Sequence, residues 1–328
     1  MDRIIFGTPL PFSLAAKDYA FASGLTIRSI RPILWELSAG KGYMSDAERK
    51  RMDGAAHWLC VSQEVESWHS VQPGDDFYEK VRRGMYALQI ICPSGATNQY
   101  FKFCETPEGF DNIGSWQPVK MTSTMMGRLA ELDGQKLNAE FDLVFGGVQR
   151  AFEENAVRLV NPVLLLEHGL QINHPYLSML MWVMGLDMLY MAGEKQPFVD
   201  RISGFLGSKT LVFPRLLHQQ PRLTIGEVLN DLYDLRNIVA HGREIPRNPF
   251  LEKFNIVDSN GHNIDLIGYT YSLVLMESAL FLLTESLRKI MKQGLIDTVR
   301  DDARWKQKLK VDARLDQIRN SEPGKERC

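Results

Sequence analysis

The sequence predicts an α+β protein: a small mixed α/β region at the N-terminus, then an all-α helical bundle. Three observations carry this. Before about residue 137, alternation and turn signals dominate. Tyr100, Lys102 and Cys104 alternate with Phe101 and Phe103 in Thr97–Glu105, between the turn signals Pro93-Ser94-Gly95 and Pro107-Glu108-Gly109. From residue 138, helical periodicity takes over. Finally, 328 residues with 45% hydrophobic and 24% charged side chains are enough for two cores and exclude whole-chain disorder. The expected division is an N-terminal accessory or sensor domain at 1–137, a helical domain at 138–296 and a polar, charged tail at 297–328.

In the first domain, Ser45-Asp46-Ala47-Glu48 is a capping-box pattern that predicts a helix running towards Leu59. Trp35, Trp58, Trp68 and Trp116 supply a core of its own. His57 and His69 have no ligand-like spacing, and no chemical motif stands out in this half. In the second, Asn138–Phe152 reads as a helix weakened by Gly146-Gly147, and Ala156–Leu170 as one notched by Pro162. Pro175 suits a first helical turn and opens a helix to about Gly193. Phe198–Leu206, Thr224–His241 and Tyr269–Gly294 complete the set, with Pro246–Gly268 as a loop or hairpin-like excursion. After Ile296 the chain mixes Arg300, Arg304, Lys306, Lys308, Lys310, Arg314 and Arg319 with Asp301, Asp302, Asp312 and Asp316. That reads as a solvated helix or a loose tail whose acids interrupt any nucleic-acid-binding surface.

Several function classes are disfavoured. Thirty-eight basic against 40 acidic side chains give net −2, so nucleic-acid binding must come from a local patch. Cys60, Cys92, Cys104 and Cys328 are scattered without a CxxC pair, as expected of reduced thiols in a cytoplasmic protein rather than of a disulfide framework or zinc site. Met1-Asp2-Arg3-Ile4-Ile5-Phe6 has no leader-like pattern. Tyr176–Gly193 carries Asp187 and Tyr271–Leu283 carries Glu277, so both read as core helices, with no membrane partner.

The chemistry concentrates on Thr224–His241. Thr224-Ile225-Gly226-Glu227 is a second capping box, and Gly242 stands where a C′ glycine belongs. Ile225, Val228, Leu229, Leu232, Leu235, Ile238 and Val239 share one face; Asn230, Asp234, Asn237 and His241 form a polar stripe opposite. Arg236 falls on the flank of the apolar face, where a charge needs a partner or an edge. His241 lies in the last turn, where the helix dipole favours a protonated imidazole. An arginine fork can clamp phosphate oxygens, and a histidine can move protons near neutral pH. The bland alternative is a helix-capping histidine and a salt-bridged arginine.

Leu232-Tyr233-Asp234-Leu235-Arg236-Asn237-Ile238-Val239-Ala240-His241-Gly242 resembles the signature of the HEPN superfamily: Arg, a polar residue, a short spacer, then His. The texture over residues 150–295 resembles the ApeA-like HEPN branch of phage-defence proteins, with Leu186-Asp187-Met188-Leu189 at the place of that branch's Leu-Glu-x-Leu stretch and Asp for Glu. The resemblance implies a HEPN-type bundle that forms a homodimer. It further implies a metal-independent, cofactor-free endoribonuclease of the toxin or antiviral-defence kind. Two Arg–His motifs would meet across the dimer and cleave RNA through its own 2′-OH, leaving a 2′,3′-cyclic phosphate and a 5′-OH. Arg236, Asn237 and His241 would then be catalytic, with Asp187, Tyr233 and Asp234 supporting. Arg236 and His241 lie about 140° apart on one helix, which agrees with a site completed by a two-fold mate. Asp187 and Arg236 each need a counterpart, so the two are expected within salt-bridge reach. The N-terminal domain is the expected place for a trigger or regulatory partner. The alternative within the superfamily is a non-catalytic module for dimerisation or RNA and nucleotide binding. His168, His174, His218 and His262 read as structural or surface residues.

Overall fold

A computed structural model describes residues 2–10, 18–29, 57–65, 75–93, 100–106, 109–116, 134–172, 174–212, 223–243 and 269–321. They form a mostly helical chain with an antiparallel sheet near its start, in two compact units, Met1–Arg150 and Ala151–Cys328. The division falls inside a helix rather than at residue 137. The segment after 296 belongs to the second unit instead of standing apart as a tail.

In the first unit, β1 (Asp2–Pro9), β2 (Tyr19–Ala20), β3 (Thr26–Arg28), β4 (Trp58–Val65), β5 (Tyr100–Thr106) and β6 (Gly109–Trp116) form one sheet in the order β2-β3-β4-β1-β5-β6. β1 is an inner strand, with Ile5 opposite Ser62 on one side and Phe103 on the other. Its strand nature comes from pairing. The helix expected to run towards Leu59 does not reach it, because Trp58, Leu59 and Cys60 are fully buried in β4. Consecutive burial means both faces are covered, which erases the alternation that would mark a strand. Residues 45–56 of that expected helix, like the Pro246–Gly268 excursion, His69, His218 and His262, lie outside the described residues.

Helix α1 (Asp75–Ile91) packs on β1 and β4. Gly84 permits the close approach: a Cβ there would lie 2.8 Å from Leu25 Cδ1 and 3.0 Å from Leu59 Cδ2. Helix α2 (Gly134–Glu153) runs unbroken through Gly146-Gly147. Its Phe141 stacks on Phe21 with ring centroids 3.9 Å apart, and its Asp142 carboxylate accepts the Ala22 and Ser23 N–H groups at 2.8 and 3.0 Å.

The second unit contains α3 (Val157–Gln171), α4 (Pro175–Tyr190), α5 (Lys195–Leu206), α6 (Ile225–Ala240), α7 (Tyr269–Lys292), α8 (Ile296–Arg300) and α9 (Asp302–Ser321), with a short hairpin of β7 (Leu211–Val212) and β8 (Leu223–Thr224). Helix α7 is the hub: α3, α4, α5 and α6 all pack on it, because Leu275, Ala279, Leu282, Leu283 and Leu287 give it an apolar face broad enough for four neighbours. The α3–α4 contact is tight at Gly169, where a Cβ would meet the Trp182 ring at 2.3 Å.

Helix α4 is less enclosed than its apolar sequence implies: Leu177 and Met184 are 45% and 46% exposed. Among the described residues no single helix is long and apolar enough to cross a membrane; α4 and α5 reach that length only together, and they are bent by 78° at their junction. Helix α9 is docked rather than loose. Trp305 and Leu309 are fully buried, and Ala313 backbone passes so close to Gly204 of α5 that a Cβ on the glycine would lie 2.4 Å from it.

Candidate active site

Both ends of α6 are fixed by the residues that mark them in the sequence. At the start, the Glu227 carboxylate accepts the Thr224 N–H at 2.7 Å and its hydroxyl at 2.8 Å. The next two free N–H groups go outside the helix: Ile225 donates to the Thr210 carbonyl at 2.8 Å and Gly226 to that of Ser208 at 3.0 Å. At the end, Gly242 adopts φ +62°, and the Gly242 and Arg243 N–H groups turn back to Val239 and Ile238 carbonyls. His241 is the last residue before this turn and its side chain is exposed.

Between these ends the helix has two characters. Ile225, Val228, Leu229, Leu232 and Leu235 are fully buried, whereas Ile238 and Val239 are only half-buried. The polar stripe emerges as expected: Asn230, Asp234 and His241 are exposed and Asn237 is half-buried. The candidate site therefore occupies the final turns, where the apolar seam opens.

Arg236 has three contacts. One guanidinium nitrogen lies 3.4 Å from Asp187 Oδ2 on α4, well inside salt-bridge reach. Another donates to Asn237 Oδ1 at 2.8 Å. The guanidinium carbon stands 5.4 Å from the centre of the Tyr233 ring, on the preceding turn. Asp187 side chain is 16% exposed and that of Arg236 27%, so the pair is partly shielded from solvent but retains an opening. Burial pushes the Asp187 carboxyl above its ordinary value, and Arg236 opposes that shift. Asp187 Oδ1 is enclosed and has no hydrogen-bond partner among the described residues.

The end of α4, which carries Asp187, is held by three other elements. Carbonyls left free at a helix C-terminus need donors. Arg158 of α3 donates to Met188 O at 2.8 Å, Trp305 of α9 to Leu189 O at 2.6 Å, and Arg201 of α5 to Tyr190 O at 2.9 Å and to Met191 O. Met191 closes the helix in the left-handed conformation, φ +52°. This wiring positions Asp187 for Arg236.

The supporting residues are placed differently. Tyr233 is buried, tilts against Phe198 at 5.3 Å and donates its hydroxyl to Gly193 O at 3.4 Å. Asp234 is turned away and binds Lys195 Nζ at 2.7 Å. It thereby joins α6 to α5 and takes no part in the Arg236 cluster. Lys195 and Arg201 escape sequence reasoning, since nothing local marks a lysine or arginine as the partner of a distant carboxylate or carbonyl. His168 and His174 are exposed and His57 is buried in the first unit. Among the described residues no three His, Cys, Asp or Glu side chains converge as metal ligands would.

Fold and site together define a class: a helical bundle that presents an anchored arginine, an amide and an open histidine on the last turns of one helix. Compared with known protein families, characterised proteins and solved structures, the chain gives no match. The HEPN resemblance therefore rests on the sequence of the motif residues.

Proposed function

We propose that this protein is a metal-independent endoribonuclease of the HEPN type, acting as a homodimer in which two α6 C-termini share one cleft. The observation that carries the reading is the state of the motif. Arg236 is oriented by Asp187 and Asn237, while His241 is exposed about a turn and a half further along. Arg236 also retains accessible surface, which leaves its guanidinium within reach of a ligand.

In the proposed reaction the 2′-OH of one ribose attacks the adjacent phosphorus, and the bond to the 5′-oxygen of the next nucleotide breaks. His241 takes the 2′-OH proton as general base. His241 of the partner subunit, as its imidazolium, gives a proton to the leaving 5′-oxygen. Arg236 stabilises the charge that builds on the non-bridging oxygens. Asn237 fixes the plane of the guanidinium. The products are a 2′,3′-cyclic phosphate and a 5′-hydroxyl, with no water consumed in this step.

The test is cleavage of labelled RNA by the purified full chain, with the product ends identified by mass. The expected result is cyclic-phosphate ends, activity unchanged by a chelator, and a dimer by light scattering at micromolar concentration. Activity that disappears with chelator and returns with a divalent ion would refute the mechanism, and cleavage by a monomer would refute the shared cleft.

A further inference from the structure

Helix α9 carries six basic and three acidic side chains, interleaved along the sequence. The fold separates them. Asp302 is bound by Arg158 at 2.5 Å and Asp312 by Lys308 at 3.0 Å. Asp316 accepts the Ser208 N–H at 3.3 Å and the Asn320 amide at 3.1 Å. Asp312 and Asp316 recur with Trp305 and Leu309 at helical spacing, so both lie on the side packed against α5. Lys306, Lys310 and Arg314 point the other way. All three are exposed, and none forms an ion pair among the described residues.

These three recur every fourth residue, so their Cα atoms climb one edge of the helix in steps of about 6 Å. With Asp312 and Asp316 on the inner side, and Asp302, which opens the same row at its N-terminal end, held by Arg158, the outer edge has a local positive field in a chain of net charge −2. Beside it lie Val311, Leu315 and Ile318, each 45–47% exposed.

We propose that this edge of α9 binds the phosphate backbone of single-stranded RNA. The identity of the polyanion rests on the ribonuclease reading; the charge separation does not. A line of evenly spaced cations suits a linear polyanion, and the adjacent aliphatic side chains offer a surface to bases turned out of a single strand. A helix built to lie in an anionic membrane presents a broad, bulky apolar face, whereas α9 buries Trp305 and Leu309 against α5 and leaves a narrower aliphatic strip, Val311, Leu315 and Ile318, half-exposed. The inner side of α9 is joined to the start of the motif helix, the end opposite His241. Asp316 and Asn320 bind Ser208, whose carbonyl accepts the Gly226 N–H at the start of α6.

The experiment uses the full chain with His241→Ala, so that RNA is bound without being cut. It is compared with the same chain also carrying Lys306→Gln, Lys310→Gln and Arg314→Gln, changes that keep good helix formers in place. Binding of a labelled single-stranded RNA is followed by fluorescence anisotropy across a salt series. Each phosphate contact contributes about 0.7 to the slope of log affinity against log salt, so losing three should make the slope shallower by about 2. The triple variant with His241 intact should still cleave a dinucleotide, which is too short to span both surfaces. An unchanged slope overturns the ridge and leaves the nuclease reading standing. A parent chain that neither binds nor cleaves any RNA overturns both. Binding to phosphatidylserine vesicles through the same three residues, in place of RNA, overturns the RNA assignment in favour of a membrane surface.

Discussion

The two parts of α6 are built from the same kind of sequence and do opposite work. From Ile225 to Leu235 every apolar position is sealed against α4, α5 and α7, and the capping box and the Thr210 and Ser208 carbonyls close its start. From Arg236 to His241 the seam opens: Ile238 and Val239 are half-exposed, Arg236 is held by Asp187 and Asn237, and His241 is exposed. The difference shows how a rigid helix presents chemistry. The buried part supplies stability and fixes direction, and the open last turns carry the candidate site, where little packing is lost if side chains change.

That division of labour can be broken most forcefully in the buried part. Leu232→Ala removes a fully enclosed side chain and should lower unfolding stability by about 2–5 kcal/mol in urea titration. A loss below that of Arg236→Ala would contradict the division. In the open part the effect should fall on rate instead. His241→Ala should reduce RNA cleavage about 100-fold or more, about 2.7 kcal/mol of barrier, while stability stays within about 0.5 kcal/mol of the parent. A large stability loss would mean that the histidine is structural.

Asp187→Asn sharpens the comparison, because it touches the open part from a neighbouring helix. It should slow cleavage less than the loss of His241, since the guanidinium keeps its Asn237 contact. Its pH dependence has a definite sign. Burial raises the carboxyl of the folded chain above its unfolded value, so the folded state holds the extra proton. The stability that Asp187 contributes is therefore full below the ordinary carboxylate value of about 4 and falls as pH rises through the raised value. Denaturation of parent and variant across this range should show the variant gaining relative stability with rising pH and then levelling off. The opposite trend would mean that Arg236 outweighs burial. The smallest effect is expected at the cap: Gly242→Ala, at φ +62°, should cost about 1 kcal/mol and leave cleavage chemistry intact.

Much of α6 was legible in advance, and for a local reason. Thr224, Glu227 and Gly242 act on the backbone within one turn of themselves, so residue type and spacing suffice to read them. The apolar seam follows from helical periodicity in the same way. The strands β1 and β4 were not legible. Asp2–Pro9 becomes an inner strand only by pairing with residues about 60 and 100 positions away, and the fully buried run Trp58–Cys60 shows no alternation.

By itself, then, the sequence determined an α+β chain, the limits of the motif helix, and the need of Asp187 and Arg236 for counter-charges, since burial of an unpaired charge is costly wherever it occurs. Tertiary structure alone decided which charges met. Asp187 faces Arg236 because three side chains from α3, α5 and α9 lock the end of α4. Asp234 turns to Lys195 instead of joining the site. Asp312 and Asp316 of α9 turn inward to Lys308 and Ser208, and Asp302 pairs with Arg158, leaving Lys306, Lys310 and Arg314 outside. Electrostatic pairing acts over a few ångströms of space rather than along the chain, so a sequence whose charges nearly cancel in one dimension can fold into a surface where they do not.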